Sequence, residues 1–244
     1  MVAVFDIGNT NVHVGLYQER ELVYKDVYHT RKELPPAKII KMIADEKLEG
    51  AAIASVVPRR TRQITGILRK HKVKSLVVSS RTESGLKYSY HDPSTLGADR
   101  IAALAGALSR YKKNVIVVDA GTATTIDVVR RDGFHIGGII CPGMQILAES
   151  IHRRTAQLPK TTVVKPRRLI GKSTEECIQS GVFNGTIVMI NGLIQDIRRQ
   201  VRGDYYCVST GGAGEIIARY VDEIDEYCED LCLYGALDIY YRNV

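Results

Sequence analysis

The sequence predicts an α/β fold in which one strand-loop-hairpin unit is used twice. Three observations predict it. Short apolar runs alternate with amphipathic stretches of helical period, the pattern of a sheet covered by helices. The opening Val2-Ala3-Val4-Phe5, running into Asp6-Ile7-Gly8-Asn9-Thr10-Asn11, returns as Val115-Ile116-Val117-Val118 running into Asp119-Ala120-Gly121-Thr122. Val2 then falls on Val115, Val4 on Val117, Asp6 on Asp119 and Gly8 on Gly121. A hairpin follows each copy, the second one turning at Arg131-Asp132-Gly133.

The elements follow in order. Val2 to Phe5 reads as a buried strand. Val12 to Tyr17 alternates as a second, and after a polar turn at Gln18-Glu19-Arg20 a third runs from Leu22 to Val27. Pro35-Pro36 opens a helix to about Lys47, with Ile39, Ile40 and Ile43 on one side. A buried strand from Ala51 to Val57 is ended by Pro58, a helix runs from Arg62 to His71, and a strand from Lys74 to Val78. Arg81 to Leu96 is polar and turn-rich, yet carries Tyr88, Tyr90, His91 and Asp92. Ala98 to Tyr111 is a helix with Ile101, Leu104 and Leu108 along one face.

The second hairpin spans Val128 to Ile140. A helix from Met144 to His152 follows, then a loop with Pro159 and Pro166. A long helix from Thr174 to about Val201 is interrupted by Gly181 and Gly185. Tyr205 to Ser209 is a strand, Thr210-Gly211-Gly212-Ala213-Gly214 a loop, and helices start at Glu215 and Leu231. The connection between Ser109 and Val115 divides the chain into residues 1–112 and 113–244.

Composition narrows the function classes. The 244 residues are 45% hydrophobic and 25% charged, the balance of a globular protein with a sizeable core. That excludes collagen, a small disulfide scaffold and an intrinsically disordered chain. The net charge of +7 favours anionic partners, but the basic residues are spread in pairs such as Arg59-Arg60 and Arg167-Arg168, as on a solvated surface. The five cysteines have no zinc spacing and read as buried reduced thiols, which fits a cytoplasmic location. The N-terminal segment lacks the basic start of a signal peptide, and no uninterrupted apolar run approaches the roughly 18 residues of a membrane span. Neither a nucleic-acid nor a membrane partner is expected.

Three glycine loops at strand ends carry the chemistry. In the first, Gly8 lets the backbone turn close to a ligand. Asn9, Thr10 and Asn11 add donors, and Asp6 can hold a hydrated Mg²⁺, so the loop reads as a phosphate cradle or, more plainly, as an Asx-turn in a hairpin. In the second, Asp119 can hold a cation, and Thr122, Thr124 and Thr125 supply hydroxyls. Two such loops across a cleft would grip a polyphosphate from both sides. The third, Thr210 to Gly214, reads as close backbone approach to an anion or as a tight turn. Gly171-Lys172-Ser173 lacks the first glycine of a P-loop, since Pro166 stands there. Gly97-Ala98-Asp99-Arg100 opens a helix. There Asp99 could be a general base and Arg100 a clamp on a carboxylate or phosphate. From spacing alone, the favoured reading is Asp99 complementing the helix dipole, with Arg100 on the surface.

These segments, with Gly137 to Gly143, Thr155 to Pro159 and Gly171 to Thr174, resemble the type III pantothenate kinase family in order and spacing over nearly the whole chain. The resemblance implies duplicated ribonuclease-H-like (actin-like ATPase) domains with a cleft between them. It implies phosphorylation of pantothenate to 4'-phosphopantothenate by ATP, the first step of coenzyme A biosynthesis. Carried over, Asp6, Ile7, Gly8, Asn9, Thr10, Asn11, Val12 and His13 form the first ATP loop, with Asp6 orienting Mg²⁺ and Thr122 touching ATP. Asp99 is the proton acceptor. Tyr90, Gly97, Ala98, Asp99, Arg100 and Thr174 meet pantothenate, and Asp119 holds a monovalent cation, K⁺ or NH₄⁺. The family implies a homodimer. Tyr90-His91-Asp92-Pro93 departs from its usual Tyr followed by Asp-Asn-Pro. A related small-alcohol kinase and a kinase-fold transcriptional accessory protein that binds DNA are the alternatives.

Overall fold

In a computed structural model, residues 1–30, 39–41, 43 and 47–244 are described. The helix expected from Pro35 to Lys47 falls largely outside them; within them Ile39, Ile40, Lys41 and Ile43 are helical. The elements up to residue 111 are β1 (Val2–Ile7), β2 (Asn11–Gln18), β3 (Glu21–His29), β4 (Gly50–Ser55), α1 (Pro58–Lys70), β5 (Lys74–Val77), β6 (Lys87–Tyr88) and α2 (Ala98–Tyr111). Then come β7 (Val115–Ala120), β8 (Ala123–Val129), β9 (Phe134–Pro142), α3 (Met144–Arg154) and α4 (Thr174–Gln200). The chain closes with β10 (Tyr206–Thr210), α5 (Gly214–Tyr220), β11 (Glu226–Tyr227) and α6 (Leu231–Arg242). The chain forms two compact units: Met1–Lys113 with Asp127–Gly137 and Asp230–Val244, and Asn114–Ile126 with Gly138–Glu229.

In the first unit the strand order is β3-β2-β1-β4-β5. β1 pairs antiparallel with β2, Val2 opposite Tyr17, and parallel with β4, Val2 opposite Gly50. Side chains alternate across β1, and both faces are covered. Val2 and Val4 pack with Ala52, Ile101, Ala105 and Leu237, while Ala3, Phe5 and Ile7 pack with Ile53, Ile64 and Leu68. Burial on both faces is why β1 is apolar without alternation. Asp6 lies at the C-terminal end of β1, one residue before its last. Pro58 opens α1 as well as following β4, because its fixed φ suits the first helical turn; the helix starts there and not at Arg62. Helices α2 and α6 touch backbone to backbone: a Cβ on Gly235 would stand 1.7 Å from the Ala102 carbonyl oxygen.

In the second unit β10 runs parallel to β7, Asp119 opposite Thr210, and β11 runs parallel to β10. The sheet order β11-β10-β7-β8-β9 repeats that of β5-β4-β1-β2-β3, so the duplication read from two short motifs is a duplication of topology. Residues of β8 and β9 from Asp127 to Gly137 belong to the first unit, where Tyr88 pairs with His135.

The segment Gly171-Lys172-Ser173 is a helix cap. Ser173 Oγ accepts from the Glu176 N–H at 3.2 Å, and Glu176 Oε2 accepts from the Lys172 N–H at 2.7 Å. By length and composition alone α4 could cross a membrane, its most apolar window having a mean hydropathy of 1.3. Within the second unit, however, Ile178, Val182, Phe183, Ile190 and Ile194 are buried, and Phe183 meets Tyr220 edge-on at 5.4 Å. No disulfide joins the five cysteines. Cys207, Cys228 and Cys232 are buried as expected, but Cys141 is half-buried and Cys177 exposed. Burial pushes the Cys207 thiol up to about 12, which keeps it protonated and unreactive.

Candidate active site

The first loop is held from outside by side chains. The Gly8 N–H donates to the Asn11 carbonyl at 2.9 Å and closes the turn. Thr30 Oγ1 donates to the Gly8 carbonyl at 2.7 Å, and the buried Arg60 donates from Nε to the Thr30 carbonyl at 2.8 Å. Ile7 and Val12 are buried anchors; Asn9 and Thr10 are exposed; Asp6, Gly8, Asn11 and His13 are half-buried. The Val56 N–H donates to the Ile7 carbonyl at 3.1 Å, and Val56 Cγ1 lies 3.6 Å from where a Gly97 Cβ would be. Val56 thus links the first loop to the start of α2.

At that start, Gly97 is the N-cap residue, and a Cβ on it would stand 2.4 Å from Asp99 Oδ1. Asp99 Oδ1 accepts the Arg100 N–H at 2.7 Å. Burial holds the Asp99 carboxyl above the ordinary range. The Arg100 N–H and charge oppose that shift, and Asp127 adds to it. Arg100 is buried, not on the surface as the spacing favours. Its Nε donates to Asp127 Oδ2 at 2.8 Å, its Nη2 to Asp127 Oδ1 at 2.6 Å and its Nη1 to the Tyr90 hydroxyl at 3.0 Å. Burial works against the guanidinium charge, but Asp127 outweighs it and raises the Arg100 pKa. His135, fully buried, places Nε2 at 2.8 Å from Asp127 Oδ1, and its ring stacks on Tyr90 with centroids 5.5 Å apart. Asp92 in the departing segment caps a short 3-10 turn, accepting from the Ser94 N–H at 2.9 Å and the Ser94 hydroxyl at 2.6 Å.

In the second unit the loop is held by backbone contacts. The Gly121 N–H donates to the Ala123 carbonyl at 3.0 Å, and the Gly143 N–H to the Thr122 carbonyl at 3.1 Å. Gly211 has φ +84, and a Cβ there would stand 2.4 Å from Asp119 Oδ1 and 2.9 Å from the Ala120 carbonyl oxygen. The third glycine loop therefore packs on Asp119 and gathers oxygen donors beside it. Of the three threonines expected to offer hydroxyls, Thr122 is exposed, Thr124 is buried and Thr125 is half-buried. Thr174 is exposed at the first position of α4.

The model of the family described as type III pantothenate kinase matches residues 2–196. A type III pantothenate kinase from Syntrophotalea carbinolica is 33% identical over all of this chain and 99% of its own length. One from Thermomicrobium roseum is 37% identical over 99% of this chain and 97% of its own. This chain belongs to the type III pantothenate kinase family. Two solved structures share its fold. One is a conserved protein of Campylobacter jejuni assigned to the Baf family of transcriptional activators (TM-score 0.63, 22% identity, 99% of this chain and 98% of that one). The other is the inorganic polyphosphate/ATP-glucomannokinase of Arthrobacter sp. strain KM (TM-score 0.51, 12% identity, 99% and 100%). The shared fold and the repeated strand order are those of a duplicated ribonuclease-H-like architecture.

Two residues beside Asp99 and Arg100 escaped the sequence reading. Asp127 closes the second motif and stood in plain view, but its partner is 27 positions away. His135 counted among six scattered histidines; the signal was its place in a hairpin that begins at a strand carboxylate.

Proposed function

We propose that the chain phosphorylates pantothenate at its primary hydroxyl with ATP, giving 4'-phosphopantothenate for coenzyme A biosynthesis. Family membership supports the reaction, and the observation that supports the site is the half-buried Asp99 at the start of α2. Phosphoryl transfer needs positioning and charge neutralisation more than covalent chemistry, plus one base for the alcohol proton. Asp99 is that proton acceptor, made more basic by burial. Tyr90, Gly97, Ala98, Arg100 and Thr174 bind pantothenate. The loop from Asp6 to His13 and Thr122 bind ATP, whose phosphates suit the exposed loop around Asn9 and Thr10.

A divalent metal belongs to kinase chemistry, and held beside Asp6 it would supply neutralisation of the phosphate charge. The donor set fits Mg²⁺. Mg²⁺ keeps most of its waters and needs one carboxylate beside the phosphates, and a half-buried carboxylate stands at the end of β1 next to the exposed Asn9 and Thr10. Asp6 is that carboxylate. Asp119, with the carbonyl oxygen of Ala120 beside it at Gly211, suits a monovalent cation, K⁺ or NH₄⁺.

The functional halves are residues 1–112 and 113–244. The protein works in the cytoplasm as a homodimer, without nucleic-acid or membrane partners. Support for the dimer comes from α4, where Gly181, Gly185, Val188 and Gly192 recur on one face, Val188 is 71% exposed and nothing stands within 4 Å of a Cβ on any of the three glycines. Small residues at that spacing let the same helix of a second copy approach. Coupled ADP release tests the reaction: pantothenate-dependent turnover with Mg²⁺ and K⁺ is expected, and its absence contradicts the reading. Light scattering tests the dimer, and a monomeric mass contradicts it.

A further inference from the structure

Four side chains of the first unit form a closed ring. Tyr90 accepts from Arg100 Nη1 at 3.0 Å; Arg100 donates twice to Asp127; Asp127 Oδ1 lies 2.8 Å from His135 Nε2; and the His135 ring stacks on Tyr90 with the planes 24° apart. The carboxylate can only accept, so His135 carries its proton on Nε2, a tautomer assigned from the partner. His135 Nδ1 is buried with no hydrogen-bond partner among the described residues. A solvent-exposed histidine would satisfy both nitrogens with water, so burial of this ring is a cost that its contacts to Asp127 and Tyr90 must offset.

The ring consumes Nε, one N–H of Nη2 and one of Nη1, leaving one N–H on each terminal nitrogen of Arg100. An arginine free to swing loses rotamer entropy when it binds a ligand; one clamped in a bidentate pair has lost it already. We propose that Asp127 and His135 are positioning residues that fix Arg100 and the Tyr90 hydroxyl for pantothenate. The inference rests on the reading that Arg100 and Tyr90 meet that substrate. Neither Asp127 nor His135 touches the reacting atoms; each acts through Arg100 and Tyr90.

The test is a set of variants in the full chain, read by steady-state kinetics and thermal melting. Asp127→Asn keeps the shape but removes the charge. His135→Phe keeps the stacking but removes the donor, while His135→Gln keeps a donor. Asp127→Asn and His135→Phe should raise the KM for pantothenate by about 10-fold, the loss of one charge-assisted hydrogen bond, with the KM for ATP within about twofold. His135→Gln should recover most of the loss seen in His135→Phe. Because the effect runs through Arg100, adding Asp127→Asn to Arg100→Lys should make the pantothenate KM little worse than Arg100→Lys alone. Multiplying effects in the double variant, or equal shifts in both KM values with a lowered Tm, would overturn the proposal. If Asp127→Asn does not fold, the histidine pair carries the same test. If Arg100→Lys alone leaves the pantothenate KM unchanged, it is the underlying reading of the substrate site that fails.

Discussion

The two copies of the strand-aspartate-glycine unit share topology and differ in how they hold their loops. β1 and β7 have the same succession of buried positions, and so do β2 and β8 when Asn11 is set on Ala123. The loops differ by one residue: Gly8 closes on Asn11, Gly121 on Ala123. That deletion moves the second copy's register, so Asp127 takes the place that Gly15 holds in β2. The first copy keeps that position neutral and secures its loop with Thr30 and Arg60. The second secures its loop by close glycine contacts and buries a carboxylate that anchors Arg100. One fold unit thus carries two designs, and the difference lies where a single residue is missing.

The largest effect is expected at position 127. Asp127→Ala leaves Arg100 buried without its counter-charge and should cost about 3–5 kcal/mol in chemical denaturation. Gly15→Ala in the other copy places a Cβ 2.9 Å from Tyr17 Cε2 and 3.0 Å from Leu22 Cδ1, and should cost about 1–3 kcal/mol by the same measurement. A larger loss from the glycine would contradict the asymmetry. Gly211→Ala puts a side chain on a left-handed backbone against Asp119. It should lower stability by about 1–3 kcal/mol and weaken the proposed activation by K⁺, checked by titrating K⁺ against Na⁺. Thr30→Ala removes one hydrogen bond from the first loop, costs about 1 kcal/mol and should raise the KM for ATP with the K⁺ response unchanged.

The smallest effect is in pH. Asp99 titrates above its ordinary 3.8 in the folded state because burial disfavours its charge. Its contribution to stability is therefore fully present below the unfolded value and lost as pH rises through the raised folded value. In the proposed reaction activity runs the other way, since Asp99 must be ionised to accept the proton. The acid limb of kcat should lie above the ordinary carboxylate range, and Asp99→Asn should leave Tm near neutral pH equal or higher. An acid limb at or below that range contradicts the burial of the base.

Much of this was legible in the chain. β1 and β7 announced themselves because burial on both faces leaves no polar position, and Asp6-Ile7-Gly8 against Asp119-Ala120-Gly121 exposed the repeat. The helix from Ala98 to Tyr111 matched its expected bounds, since its apolar face and its N-cap glycine are local features. What stayed hidden depends on distant partners. Arg100 looked like a surface residue because Asp127 and Tyr90, 27 and 10 positions away, make its burial tolerable. The strand Lys87–Tyr88 is two residues long and exists through pairing with Phe134 and His135, so no local period could reveal it. The one-residue register change between the copies is invisible until burial along β2 and β8 can be compared.

Asp99 as the proton acceptor is the proposal on which the site of this kinase stands. Its most direct measurement is pantothenate-dependent ADP release, with Mg²⁺ and K⁺ present, by the native protein and by Asp99→Asn. Turnover by the native protein is expected, with a loss of about 100-fold or more in kcat for a variant that still melts normally and binds ATP. Equal turnover by Asp99→Asn, or no pantothenate dependence in the native protein, would contradict it.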